Sequence, residues 1–183
     1  MARIHILGAS GSGTTTLGAA LAARLGCPHE DTDAYFWLPT DPPFITRRPA
    51  KDRLALLLPR LAGTRWVLSG SALEWGAALD RLYDLVIFLR LDPTLRMARL
   101  CRREAERYGV RIAPGGDMAA ASHAFLDWAE SYDTADPAHR SLAAHEQWLA
   151  TVTCPVMRLD SAAPVHQLVE AVLGHLSAGP RLV

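Results

Sequence analysis

GASGSGTTTLG, residues 8–18, is the stretch on which the reading of this chain turns. Gly8, Gly13 and Thr15 keep the spacing of the phosphate-binding pattern G-x-x-x-x-G-K-[ST], but Thr14 stands where that pattern has its lysine. Glycines let consecutive backbone N–H groups turn inward, and a helix starting just after them directs its positive end to the same point. Neither device needs the lysine. Phosphate is therefore expected on Gly8, Ser10, Gly11, Ser12, Gly13, Thr14, Thr15 and Thr16, with the Thr15 hydroxyl where such loops ligate Mg2+. Thr14 can donate a hydrogen bond but brings no charge. Phosphoryl transfer would then need a cation from elsewhere in the chain.

The flanks supply the context such a loop requires. Residues 3–9 (RIHILGA) read as a short buried strand. Residues 14–25 read as a helix with Leu17, Leu21 and Leu25 on one face and Gly26 as its stop. Further strands are expected to end in HEDTD (29–33) and to cover RWVLSGS (65–71), LVIFLRL (85–91) and PVMRLD (155–160). Helices are expected over 53–63 with a bend near Pro59, from Asp92 and Pro93 to about Tyr108, over 118–132 and 138–150, and over 163–176. Strands alternating with helices predict an α/β domain with a parallel sheet. All 183 residues fit one domain, with a Pro-rich acceptor-binding insertion at about 34–64 and a lid at about 103–140.

Positive and negative charges balance at 19 each, so no global field favours nucleic acid or an anionic membrane. Of the cations, only Lys51 is not arginine, so bound phosphate must be held by arginine, backbone N–H or hydroxyl groups. The three cysteines are scattered and suggest no disulfide framework, and no run approaches a membrane span. A cytoplasmic protein, monomer or homodimer, is expected.

In DTD, an extended backbone would put Asp31 and Asp33 on one side, facing the loop at the C-terminal edge of the sheet. Asp33 could hold Mg2+ through water or accept a proton from an acceptor hydroxyl. In LSGS, Ser69 occupies the place expected of an acidic residue at the end of the third strand, and Gly70 lets backbone approach a substrate. The basic end of the insertion, Arg47 and Arg48, is a second candidate for substrate contact. Arg96, Arg99, Arg103 and Arg107 share one helix face. Arg99 and Arg103 are expected at phosphate and the others in solvent. Phe125, Trp128 and Tyr132 read as packing, and His139 and Arg140 border the site at most.

Taken in order, these segments make the whole chain resemble the adenylate kinase-like P-loop kinases, which include nucleoside monophosphate, shikimate and gluconate kinases. GASGSGTTT, DTD..FWLPTDPPF, WVLSGS and FLDWA..YD are similar to stretches of small bacterial proteins described as AAA-family ATPases or adenylate kinase-like, which carry the same threonine. The resemblance implies a three-layer fold with a five-stranded parallel sheet in order 2-3-1-4-5, and ATP with Mg2+ as cofactors. It implies an acceptor over Asp33, residues 40–53 and Gly70, and adenine near residues 160–164. The third strand lacks the D-G-x-x-R signature of nucleotide acceptors, so a small hydroxyl- or phosphate-bearing metabolite fits better than a nucleotide acceptor. A nucleotide-binding switch with little kinase activity is the alternative.

Overall fold

The structure is a computed structural model and describes residues 2–178. Five strands, β1 (Ala2–Gly8), β2 (His29–Asp31), β3 (Arg65–Ser69), β4 (Leu85–Arg90) and β5 (Val156–Asp160), form one parallel sheet in order β2-β3-β1-β4-β5. Helices α1 (Thr14–Leu25), α2 (Thr32–Phe36), α3 (Ala50–Leu57), α4 (Ala77–Asp80), α5 (Pro93–Tyr108), α6 (Ala119–Glu130), α7 (Leu142–Leu149) and α8 (Val165–Ala178) surround it. The fold is that of the three-layer P-loop proteins.

Strand β4 shows why its sequence is an unbroken apolar run. Leu85, Ile87 and Leu89 point to one face, where Leu17 and Leu21 of α1 and Leu168, Val169 and Val172 of α8 cover them. Val86 and Phe88 point to the other face, against Leu57, Leu61, Leu79 and Leu149. Both faces are dry, so alternation with polar residues disappears. Each such buried side chain is worth roughly 1.5–3 kcal/mol of transfer free energy.

Several boundaries move for local reasons. Strand β2 stops at Asp31 because its carboxylate accepts the Asp33 N–H at 2.9 Å and caps α2, so Asp31 and Asp33 do not share an extended segment. The helix expected over 53–63 starts at Ala50 and tightens to a 3-10 turn at Leu58–Leu61, where Pro59 offers no N–H. The helix expected from 138 starts at Leu142, because the Ser141 hydroxyl caps it by accepting the Ala144 N–H at 3.1 Å. Arg96 is not in solvent. It is fully buried and donates to the Ala129 carbonyl and the Asp133 carboxylate, each at 2.7 Å, which fixes the end of α6 to α5.

Two histidines are sealed in this core. His5 stacks on Tyr83 at 4.6 Å and burial pulls its pKa to about 4; burial, with help from Arg140, pulls His145 to about 3. The unfolded chain takes up these protons near the ordinary value and the native chain does not, so stability falls as pH drops below about 6.5. For His5 the loss between pH 7 and 4 is about 3 kcal/mol, by linkage from the shift of its pKa to about 4. Urea titrations at the two pH values should show it, and His5→Gln, which does not titrate, should make the acid step smaller.

Candidate functional site

A cleft of about 1200 Å³ opens at the C-terminal edge of the sheet. Its floor is the turn between β1 and α1. Gly11 and Gly13 adopt φ of 82° and 89°, the Ser12 N–H bonds the Ala9 carbonyl at 3.1 Å, and the Leu17 N–H bonds the Gly13 carbonyl at 3.0 Å. At Gly11 a side chain is excluded twice, by that φ and by Leu100 of α5, 2.8 Å from where a Cβ would sit. Gly11, Ser12, Gly13, Thr14, Thr15 and Thr16 line the cleft; Gly8 and Ser10 do not, and Gly8 instead allows the close approach of Leu89 and Ser12. The Ser12 hydroxyl is buried and has no hydrogen-bond partner among the described residues.

Asp31 organises the acidic side. Its Oδ2 accepts the Thr15 hydroxyl at 2.7 Å and the Ser69 hydroxyl at 3.2 Å, while Oδ1 accepts the Asp33 N–H. His29 Nε2 in turn lies 2.9 Å from Ser69 Oγ. The serine found where an acidic residue was considered thus bonds a carboxylate from the neighbouring strand. The carboxylate bonded to Thr15 is Asp31 rather than Asp33, because the α2 cap turns Asp33 away into the helix. With its proton given to Asp31, Thr15 keeps oxygen lone pairs for a hard cation such as Mg2+. Among the described residues no three His, Cys, Asp or Glu side chains gather to hold a metal, so a cation on Thr15 would take most of its ligands from phosphate and water.

Asp33 also lines the cleft, reached by solvent through its mouth yet crowded by protein. Desolvation and the Asp31 charge raise its pKa above the ordinary carboxylate value, against the opposing pull of Arg140, Arg103 and Arg107. Gly70 faces Thr32 instead of the cleft. Its φ is 93°, and a Cβ there would run into the Thr32 hydroxyl.

The cationic wall is α5. Arg99, Arg102, Arg103 and Arg107 line the cleft, although helical spacing puts Arg102 off the face that the other three share. Arg99 reaches the Ser161 carbonyl at 3.4 Å, in the turn after β5. Arg103 stacks 5.6 Å from the Phe125 ring centre, and its Nε is buried without a partner among the described residues. Arg107 lies 4.4 Å from the Phe44 ring centre, which closes the cleft with Trp37, Pro39 and Pro43. Arg48 lines the cleft but spends donors on the Tyr35 and Trp37 carbonyls at 3.0 and 3.3 Å; Arg47 does not line it and lies over Phe36.

Arg140 has a larger place than its sequence context suggested. Its Nη2 donates to the Gly8 carbonyl at 3.1 Å, and its guanidinium lies 5.6 Å from the Trp128 ring centre. Its Nε is buried without a partner among the described residues. The one sequence sign of it was a cation directly before a Ser helix cap at the end of the lid insertion. Of the aromatic trio, Tyr132 is buried and packs under Arg96 at 5.4 Å, while Phe125 and Trp128 are shelves for Arg103 and Arg140.

A family model described as "AAA domain" matches residues 4–120. The chain belongs to this AAA domain family. A relative named "Uncharacterized protein YqaC", from Bacillus subtilis (strain 168), is 44% identical over 176 residues, which is 96% of this chain and 97% of that protein. Among solved structures, shikimate kinase from Acinetobacter baumannii in complex with shikimate superposes with a TM-score of 0.60 at 15% identity, covering 99% of this chain and 96% of that one. A gluconokinase from Sinorhizobium meliloti 1021 gives 0.55 at 19%, covering 97% and 92%. Shikimate kinase from Bacteroides thetaiotaomicron gives 0.55 at 17%, covering 96% and 98%. At these identities the AAA-domain chain shares their P-loop kinase fold. No helix among its described residues is long and apolar enough to cross a membrane.

Proposed function

We propose that the protein binds MgATP and transfers its γ-phosphoryl group to a small hydroxyl- or phosphate-bearing metabolite. The observation that carries this reading is one arrangement: a phosphate loop, a hydroxyl–carboxylate pair at Thr15 and Asp31, a second carboxylate at Asp33, and a wall of arginines, all on one cleft. The loop N–H groups cradle the phosphates, and Thr15, backed by Asp31, holds Mg2+, which when bound neutralises phosphate charge. Adenine lies toward Arg99 and the Ser161–Pro164 turn. Asp33 accepts the proton of an acceptor hydroxyl as its oxygen bonds to the γ-phosphorus and the bond to the β-phosphate oxygen breaks. Arg103 and Arg107 stabilise the charge that spreads over the transferring group.

Residues 103–140 serve as the lid and residues 34–64 as the acceptor cover. Kinase folds among the solved structures support the reading, and the names of those proteins, gluconokinase and shikimate kinase, favour a hydroxylated small acceptor. Thr14 at the lysine position favours a second reading, a nucleotide-responsive switch with slow turnover.

The deciding experiment is calorimetric titration with ATP, with and without Mg2+. Micromolar, Mg2+-dependent binding is expected, abolished by Gly13→Asp. In Asp31→Asn, Mg2+ dependence should weaken about tenfold, since the Thr15 hydroxyl loses a charged acceptor worth roughly 1.5–3 kcal/mol. Absence of ATP binding in the parent protein would remove both readings.

A further inference from the structure

Behind Asp31 stands a histidine that the proposed chemistry does not use. Asp31 Oδ2 accepts the Thr15 hydroxyl at 2.7 Å and the Ser69 hydroxyl at 3.2 Å, and His29 Nε2 lies 2.9 Å from Ser69 Oγ. Ser69 is fully buried, and His29 is half-buried. A serine hydroxyl has one proton to give. Given to His29, it would leave Ser69 Oγ facing the Asp31 carboxylate at 3.2 Å, two acceptors with no proton between them. Given to Asp31, it leaves Ser69 Oγ free to accept, and His29 must then carry a proton on Nε2. The order of donation is therefore His29 Nε2–H to Ser69 Oγ, and Ser69 O–H to Asp31 Oδ2.

The fold makes room for this relay. His29 and Asp31 are two apart on β2 and so lie on one face of the strand, and Asp31 and Ser69 are register partners across β2 and β3. Helix α1 packs against both strands, with Thr15 and Gly18 three apart along it. Gly18 is buried in the interior of α1, where glycine is a poor helix former. A Cβ there would stand 2.5 Å from His29 Nε2 and 3.0 Å from Ser69 Cβ. A larger residue would push the imidazole off the serine, so α1 gives up helix propensity at a position that faces the pair.

We propose that His29 is a positioning residue for the cation site at Thr15: acting through Ser69, it holds the Asp31 carboxylate on the Thr15 hydroxyl. The Ser69–His29 pair thus fills the place where an acidic residue was expected at the end of β3, and supports the cation site with a chain of donors instead of a second charge. This rests on the MgATP reading for the identity of the cation, but not for the order of the hydrogen bonds. Asp31 is left as the carboxylate bonded to Thr15, and its orientation depends on the serine and, one step further back, on the imidazole.

Two measurements test it on the full chain. Imidazole nitrogen NMR should find a proton on His29 Nε2; a bare Nε2 overturns the order of donation and the proposal with it. The second is calorimetric titration with a non-hydrolysable ATP analogue, with and without Mg2+, read as the ratio of the two affinities. That ratio should fall about threefold to tenfold in His29→Leu and in Ser69→Ala, no more than in Asp31→Asn, while affinity without Mg2+ stays within about twofold. His29→Gln, whose amide can still donate to Ser69, should keep the ratio within about twofold of the parent. Because His29 acts through Asp31, adding His29→Leu to Asp31→Asn should lower the ratio no further than Asp31→Asn alone. Equal losses with and without Mg2+, or a loss in His29→Gln as large as in His29→Leu, would mean a structural role only and overturn the proposal. If His29→Leu does not fold, Ser69→Ala and the NMR of the parent decide. A parent whose analogue binding ignores Mg2+ would overturn the MgATP reading together with this role, whereas a Mg2+-dependent parent with an unchanged ratio in His29→Leu and Ser69→Ala overturns this role alone.

Discussion

Asp33→Asn is expected to lower acceptor-dependent turnover by about 10²–10⁴-fold, the usual range for removing a general base, while ATP affinity stays within about threefold. The side chain keeps its shape and loses its charge and its ability to take a proton. The parent protein should also lose activity on the acid side at a pH above the ordinary carboxylate range, because desolvation and the charge of Asp31 raise the Asp33 pKa. The sign for stability is opposite to that for activity. A carboxylate whose pKa is raised by folding destabilises the native state where it is ionised and ceases to do so as pH falls through its folded pKa. At neutral pH, Asp33→Asn should therefore melt higher than the parent. Differential scanning calorimetry beside a coupled ADP-release assay measures both. Unchanged turnover would remove Asp33 from the chemistry. Lost turnover with a lower melting temperature would mean that the substitution damages the fold.

The same residue shows where the sequence was legible. Loop, strand pattern and a parallel sheet follow from glycine spacing, apolar runs and strand–helix alternation, which are local properties; the strand order 2-3-1-4-5 was implied only by the resemblance to P-loop kinases, and the structure has it. The division of labour between Asp31 and Asp33 was not legible. It depends on whether the chain stays extended through Thr32, and the cap formed by the Asp31 carboxylate decides that at the scale of one residue. Arg96 was misplaced for a related reason. Helical spacing groups it with Arg99, Arg103 and Arg107, but the face of α5 it occupies meets α6, whose approach no local pattern encodes. Arg140 became interpretable only through a partner 132 positions away, at Gly8.

The second large effect concerns the lysine that the loop lacks. Arg103→Ala should reduce turnover about 10²–10³-fold, the range seen when one preorganised stabiliser of transition-state charge is removed. Arg103 is the arginine best suited to the part. It lines the cleft from α5, it is held against Phe125, and its Nε has no partner among the described residues. Burial and Arg107 lower its pKa, but a guanidinium remains charged at any working pH. The decisive measurement is a double-mutant cycle with Thr14→Lys. In the parent background a lysine at 14 adds an ammonium to a cleft already lined by Arg99, Arg102, Arg103 and Arg107, so turnover should rise less than about threefold or fall. In the Arg103→Ala background the same lysine supplies the missing charge and should restore at least about tenfold, which against less than about threefold in the parent is a coupling of roughly 0.7 kcal/mol or more. The two substitutions would then be alternative solutions to one electrostatic problem. If Thr14→Lys alone raises turnover a hundredfold, the cleft lacks a working cation despite its arginines, and the protein is better understood as a switch whose loop binds nucleotide without spending it.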